Sequence, residues 1–86
     1  MTTAEVTIYT TSWCGACLRA KAMLQQRGID YTEINLEDGA ELRQEMMARS
    51  GQRSVPQVFV GDHHVGGSDE LAAMIKSGEL DQLLAA

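Results

Sequence analysis

Apolar and polar positions in this chain change period several times, and each change marks an element. Glu5 to Thr10 (EVTIYT) alternates, with Val6 and Ile8 on one face and Thr7 and Tyr9 on the other, as a strand does. Gly15 to Arg27 follows the helical period. Cys17, Ala20, Met23 and Leu24 form its inner stripe, Arg19, Lys21 and Gln25 its wetter side, and Gly28 a C-terminal stop. Tyr31 to Leu36 (YTEINL) alternates again, with Ile34 and Leu36 inward. Asp38 then precedes Glu41 by three residues, a capping-box-like start for a second helix. That helix carries Leu42, Met46 and Met47 and ends near Gly51. Pro56 introduces the apolar run QVFV, and Gly61-Asp62 suits a two-residue hairpin turn into a second short strand ending at Val65. Gly66-Gly67 breaks that strand, and Ser68 is the expected N-cap of a last helical region. Leu71, Met74, Ile75, Leu80, Leu83 and Leu84 give its apolar side, with a break near Gly78.

The order is therefore β-α-β-α-β-β-α. The first β-α-β should be parallel and right-handed, and the later hairpin adds two antiparallel strands. The expected class is α/β, a four-stranded mixed sheet flanked by helices. Residues 1–86 carry no repeat, linker or low-complexity segment and are expected to form one domain, near the lower size limit for independent folding. At 44% hydrophobic residues, the chain can fill one modest core. The Met residues at 23, 46, 47 and 74 fit helical spacing and belong with that core.

A formal net charge of −5 argues against non-specific nucleic-acid binding. The acidic residues are dispersed, as on a solvated surface. No apolar stretch approaches a membrane span, and no charged-then-apolar start suggests a secretory leader. Two cysteines are too few, and too close together, for a disulfide-stapled secreted scaffold. The expected compartment is reducing and cytoplasmic.

Those two cysteines carry the chemistry. Cys14-Gly15-Ala16-Cys17 is a C-x-x-C between the first strand and the first helix, the context of a thioredoxin-like redox pair. A thiol at a helix start faces unpaired N–H groups and the positive end of the helix dipole. Both favour the thiolate, the form that attacks disulfides. Cys14 is then the nucleophile. Cys17, one turn deeper on the same face, is the resolving thiol. Half of a zinc site is the competing assignment. It needs about four ligands, and the other candidates, His63 and His64, are adjacent and most simply face solvent on the hairpin.

Two further segments are informative in combination. Ser54-Val55-Pro56 ends in a proline before a strand, where a cis bond would expose backbone to an extended peptide, although most X–Pro bonds are trans. Gly66-Gly67-Ser68-Asp69 joins two permissive glycines to a helix start, which can receive a carboxylate or form a plain capped turn.

Together, IYTTSWCGACLRAKAML and RSGQRSVPQVFVGDHHVGGSDEL resemble the glutaredoxin family in order and spacing, from about Val6 to Leu84. The resemblance implies a thioredoxin-type fold, a cis peptide before Pro56 and a glutathione groove drawn from Thr11, Trp13, Arg43, Ser54, Val55, Pro56, Gly67, Ser68 and Asp69. Cys14 would form the mixed disulfide, and Val55 backbone would pair with the glutathione cysteinyl backbone. Ser68 and Asp69 would take the γ-glutamyl end, and Arg43 or Gln44 the glycine carboxylate. The implied activity is reduction of glutathione mixed disulfides and protein disulfides, with glutathione as co-substrate and glutathionylated or disulfide-bonded proteins as partners.

The chain departs from the family pattern at three places. Thr11 stands where many glutaredoxins have Lys or Arg; Arg19 and Lys21 are near in sequence. Gly15-Ala16 replaces the common Pro-Tyr, which opens the site. A Gly after the first cysteine is similar to members that assemble a [2Fe-2S] cluster between two protomers, each giving its first cysteine and a glutathione. Here Cys14 would be that ligand. A monomer and a cluster-bridged homodimer are thus both open. Trp13 resembles the tryptophan of thioredoxins and of mycoredoxins, relatives that use mycothiol. It is either an exposed docking platform or packed under the loop. A thioredoxin-like protein disulfide reductase is the remaining alternative.

Overall fold

The two alternating segments and the two strands of the hairpin after Pro56 become the four strands of one mixed sheet. The computed structural model describes residues 4–85. Strands β1 (Val6–Thr10), β2 (Thr32–Asn35), β3 (Gln57–Val60) and β4 (His63–Gly66) lie in the order β2-β1-β3-β4. β1 runs parallel to β2, with Ile8 opposite Glu33, and antiparallel to β3, with Ile8 opposite Val58. The hairpin strand β4 pairs antiparallel with β3. Helices α1 (Gly15–Gln26), α2 (Leu42–Ser50), α3 (Ser68–Ser77) and α4 (Glu79–Ala85) complete the element order. The sheet topology and class match the sequence expectation.

Each strand of the central pair is covered on both faces, which the alternating pattern of β1 did not suggest. Val6 and Ile8 join Ala20, Leu24, Val58, Leu71 and Leu80 in the core beneath α1, α3 and α4. Tyr9 points the other way and packs with Leu36, Met46 and Phe59 under α2. Tyr9 is fully buried because its hydroxyl is satisfied there. It donates to Glu45 Oε2 at 2.7 Å and accepts from Arg49 Nη1 at 2.9 Å. Burial, reinforced by the Glu45 carboxylate, pushes its phenol pKa up, so it remains a neutral donor. Arg49 also lies 4.1 Å over the Phe59 ring, which holds α2 to the sheet.

Local details of the ends differ from expectation. Asp38 does not open α2. Leu36–Asp38 forms a short 3-10 turn because the Asn35 side chain accepts the Glu37 N–H at 2.9 Å, a local bond that competes with a helix start at Asp38. Helix α2 begins at Leu42, behind Glu41, with no side-chain cap. Ser68 is the first residue of α3 rather than its cap. Gly67 is the cap, and the Glu70 carboxylate returns to accept the Gly67 N–H at 2.8 Å. Strand β4 runs one residue further than expected, to Gly66, across a bulge opposite Val58 and Phe59. Gly66 has φ 119°, and a Cβ there would meet the Glu70 side chain at 3.1 Å, so a glycine is required. The last helical region breaks at Gly78, as expected, in the left-handed conformation. No helix among the described residues is long and apolar enough to cross a membrane.

Candidate functional site

The C-terminal end of β1 delivers Thr11, Ser12 and Trp13 to the start of α1, and a carboxylate fixes that delivery. Glu37, in the 3-10 turn after β2, accepts from the Ser12 N–H at 3.1 Å and from the Ser12 hydroxyl at 2.8 Å. These bonds hold the Glu37 carboxyl below the usual carboxylate range. Asn35 Nδ2 also donates to the Ser12 hydroxyl, at 3.2 Å. One residue earlier, the Thr10 hydroxyl donates to Glu33 at 2.7 Å, and Lys21 pairs with the same carboxylate at 3.0 Å. Those two donors, Thr10 first, lower the Glu33 pKa. Lys21 therefore faces β2 and not the cysteines.

Cys14 is the N-cap of α1. Its Sγ accepts the Cys17 N–H at 3.0 Å, so one of the orphan donors of the helix end points at that sulfur. Such a bond favours a thiolate over a thiol when the pair is reduced. Cys14 and Cys17 are joined as a disulfide. Cys17 is 1% exposed and packs into the inner face of α1, whereas Cys14 is half-buried and reachable. Gly15 borders open space: nothing lies within 4 Å of where a side chain would begin. Trp13 is 96% exposed, which decides between its two sequence assignments in favour of a surface platform.

The second segment meets the first. Cys14 Sγ lies 3.8 Å from the Val55 carbonyl oxygen, and the Val55–Pro56 peptide is cis. Ser54 is exposed, Val55 half-buried and Pro56 buried. The third segment is adjacent, since the Pro56 carbonyl lies 3.6 Å from where a Gly67 side chain would begin. Ser68 follows, 7% exposed, and Arg19 Nη2 donates to its hydroxyl at 3.5 Å. So Cys14, Ser54-Val55-Pro56, Gly67-Ser68-Asp69 and Arg19 form one continuous surface. Arg43 is engaged elsewhere, donating to the Arg53 carbonyl at 2.7 Å, and the exposed Gln44 is its neighbour on α2.

Gln57 is a residue that sequence reasoning missed. It is 1% exposed, and its amide nitrogen faces the Ser54 carbonyl at 3.0 Å, the Ser54 hydroxyl at 3.3 Å and Gln52 Oε1 at 2.9 Å. A carbonyl only accepts, so the amide nitrogen must be on that side. Its oxygen then faces His64 Nε2 at 2.6 Å, and His64 must donate. His64 is thus half-buried, stacked 5.0 Å from the Phe59 ring, and corrects the expectation that both histidines face solvent; His63 does. Only Gln in the run QVFV hinted at this, as a polar residue in an apolar strand.

The comparisons with known proteins agree with this geometry. The glutaredoxin family model matches residues 6–65. A glutaredoxin of Pseudomonas aeruginosa is 48% identical over 94% of this chain and 96% of its own. The solution structure of a glutaredoxin from Brucella melitensis is 45% identical, covers 98% of this chain and 91% of its own, and superposes with a TM-score of 0.84. A buckwheat glutaredoxin crystallised in complex with glutathione is 32% identical, with 95% and 77% coverage and a TM-score of 0.85.

Proposed function

The chain belongs to the glutaredoxin family and is a thiol–disulfide oxidoreductase, and from that premise we propose that it reduces glutathione mixed disulfides and protein disulfides at the expense of glutathione. The observation that carries this reading is the environment of one sulfur. Cys14 Sγ accepts a helix N-terminal N–H at 3.0 Å and borders the Val55 carbonyl at 3.8 Å. The first contact favours the attacking thiolate, and the second sets the sulfur beside backbone that an extended peptide can pair with.

The Cys14 thiolate attacks the glutathionyl sulfur of a mixed disulfide, and the client leaves as its thiolate. Glutathione then attacks the Cys14 adduct, releasing Cys14 and oxidised glutathione. With a protein disulfide, Cys14 forms the mixed disulfide to one client sulfur. Cys17 attacks Cys14 Sγ, the client's second thiolate leaves, and the Cys14–Cys17 disulfide remains for two glutathiones to reduce. Ser54, Val55, Pro56, Gly67, Ser68 and Asp69 line the proposed tripeptide groove, and Thr11 and Trp13 its entrance. Trp13 suits a client surface beside the disulfide. The buckwheat complex supports glutathione as the ligand. Arg43, tied to the Arg53 carbonyl, has to release that bond to reach a glycine carboxylate. The experiment that tests the reading supplies the reductant. A small glutathione mixed disulfide should turn over with glutathione and glutathione reductase. Turnover only with a thioredoxin reductase would instead identify a thioredoxin-like enzyme.

A second reading is favoured by the open space at Gly15. Two chains, with Cys14 and one glutathione from each, would together supply the four thiolates that hold a [2Fe-2S] cluster. No three His, Cys, Asp or Glu side chains converge among the described residues, so one chain offers no complete ligand set and the second copy is needed. Cys14 must be reduced for this. Anaerobic reconstitution with iron, sulfide and glutathione should give a coloured dimer that bleaches to monomer when glutathione is removed. A colourless monomer after reconstitution rejects this second reading.

A further inference from the structure

The Ser54–Val55 peptide is held from behind by a run of buried side chains that ends on the last strand. Gln57 opens β3 opposite Tyr9 of β1, so the sheet fixes its backbone. Its side chain is buried and turns back along the loop. The amide nitrogen donates to the Ser54 carbonyl at 3.0 Å and to Gln52 Oε1 at 2.9 Å. The amide oxygen accepts from His64 Nε2 at 2.6 Å. His64 sits opposite Phe59 in the β3–β4 pair and stacks on its ring. A flipped amide would turn its oxygen toward the Ser54 carbonyl and Gln52 Oε1, which only accept, and its nitrogen toward His64. With the oxygen engaged by His64, one orientation remains.

A peptide group is planar, and in the trans form its C=O and N–H point in opposite directions. The cis bond among the described residues is Val55–Pro56, so the Ser54–Val55 peptide is trans. Holding the Ser54 carbonyl toward Gln57 therefore turns the Val55 N–H away from Gln57. That N–H donates to no backbone carbonyl among the described residues. It belongs to the residue whose own carbonyl lies 3.8 Å from Cys14 Sγ. We infer that Gln57 is a positioning residue, steadied by His64, that aims the Val55 N–H at the backbone of an incoming thiol peptide. This rests on the glutathione reading above and deepens it. Gln57 does not touch the peptide. It fixes one peptide plane before the substrate arrives, so the ordering cost is not met at each encounter. Preference for a thiol that carries peptide backbone over a bare one then depends on two side chains behind the loop.

The test starts from a Cys17→Ser parent, in which Cys14 is the one thiol. Intact mass follows the rate at which Cys14 gains a group from oxidised glutathione and from bis(2-hydroxyethyl) disulfide. In each reaction the Cys14 thiolate forms a mixed disulfide with one half, and the other half leaves as its thiolate. Only the first disulfide carries peptide backbone. Dividing each rate by that of the same disulfide with N-acetylcysteine removes intrinsic reactivity. The parent should then favour oxidised glutathione by about tenfold or more. Adding Gln57→Glu keeps an oxygen for His64 but sets a carboxylate oxygen against the Ser54 carbonyl. It should cut the preference by about tenfold, as an unpaired buried acceptor does. Adding His64→Phe keeps a ring against Phe59 and removes the Nε2 donor. It should cut the preference by about threefold, and it decides alone if Gln57→Glu does not fold. A preference unchanged in the folded variants overturns the positioning role and leaves the glutathione reading intact. An equal fall in both rates does the same, since it marks a purely structural support. A parent with no preference for oxidised glutathione overturns the glutathione reading and the positioning role with it.

Discussion

Replacing Cys14 with serine should abolish turnover of every disulfide substrate, by about a thousandfold or more, as loss of a covalent nucleophile does. A serine hydroxyl is not ionised near neutral pH and does not attack sulfur. The N–H that Cys17 donates to Cys14 Sγ at 3.0 Å then has no thiolate to favour. Cys17→Ser should behave differently. Cys17 is 1% exposed, so its task is confined to resolving the adduct. Glutathionylated substrates should still turn over in Cys17→Ser, because glutathione itself resolves the Cys14 adduct. Protein disulfides should not, because the client remains attached to Cys14. The paired assays separate the two thiols by substrate. A Cys14→Ser variant that retains rate would reject the assignment of the nucleophile.

Leu24→Ala should be the most damaging change away from the cysteines. Leu24 is 0% exposed and packs between α1 and the sheet with Ile8, Val58 and Leu71. A buried Leu→Ala change costs about 2–5 kcal/mol, a large part of the roughly 5–15 kcal/mol that holds a small domain together. In urea the midpoint should fall while the slope stays constant. Leu18→Ala is the matched comparison, since Leu18 lies on the same helix but is 62% exposed. Its effect should stay within about 0.5 kcal/mol. Equal losses in the two variants would mean that α1 does not pack on the sheet through the face described here.

The order of the elements was legible because period and punctuation agreed. Gly28, Gly51 and Gly78 each end a helix in the left-handed conformation, and each was readable as a stop. The helix starts were less legible. Asp38 and Ser68 both look like caps, but a cap is decided by which nearby group reaches the orphan N–H first. Asn35 captured the Glu37 N–H, and the Glu70 carboxylate returned to Gly67 rather than Ser68. Tyr9 shows the limit of the alternating pattern, since only α2, folded from distant sequence, supplies the Glu45 and Arg49 partners that let a hydroxyl be buried.

The cysteine pair and the segments around Pro56 and Gly67 stood out locally, and the fold sets Val55 beside Cys14 Sγ and Gly67 beside the Pro56 carbonyl. The supports around them were hidden because their partners are far along the chain. Glu37 fixes Ser12 across 25 residues, and the Arg19 contact with Ser68 spans 49. Gln57 and His64 are close in sequence, but their link depends on the β3–β4 register and on the Ser54 carbonyl that orients the amide. Charge count alone also gave no sign that Lys21 would be spent on Glu33, while Arg19 makes no ion pair among the described residues.

The measurement that bears most directly on the account is the intact mass of two single-cysteine variants after brief treatment with oxidised glutathione. The chain has two cysteines, so each variant offers one thiol. Cys17→Ser, which keeps the half-buried Cys14 at the helix start, should gain one glutathionyl group rapidly. Cys14→Ser, which keeps only the buried Cys17, should remain unmodified over the same time. An unmodified Cys14, or a Cys17 that reacts as fast, would contradict the claim that the α1 N-terminus makes Cys14 the thiol that takes glutathione.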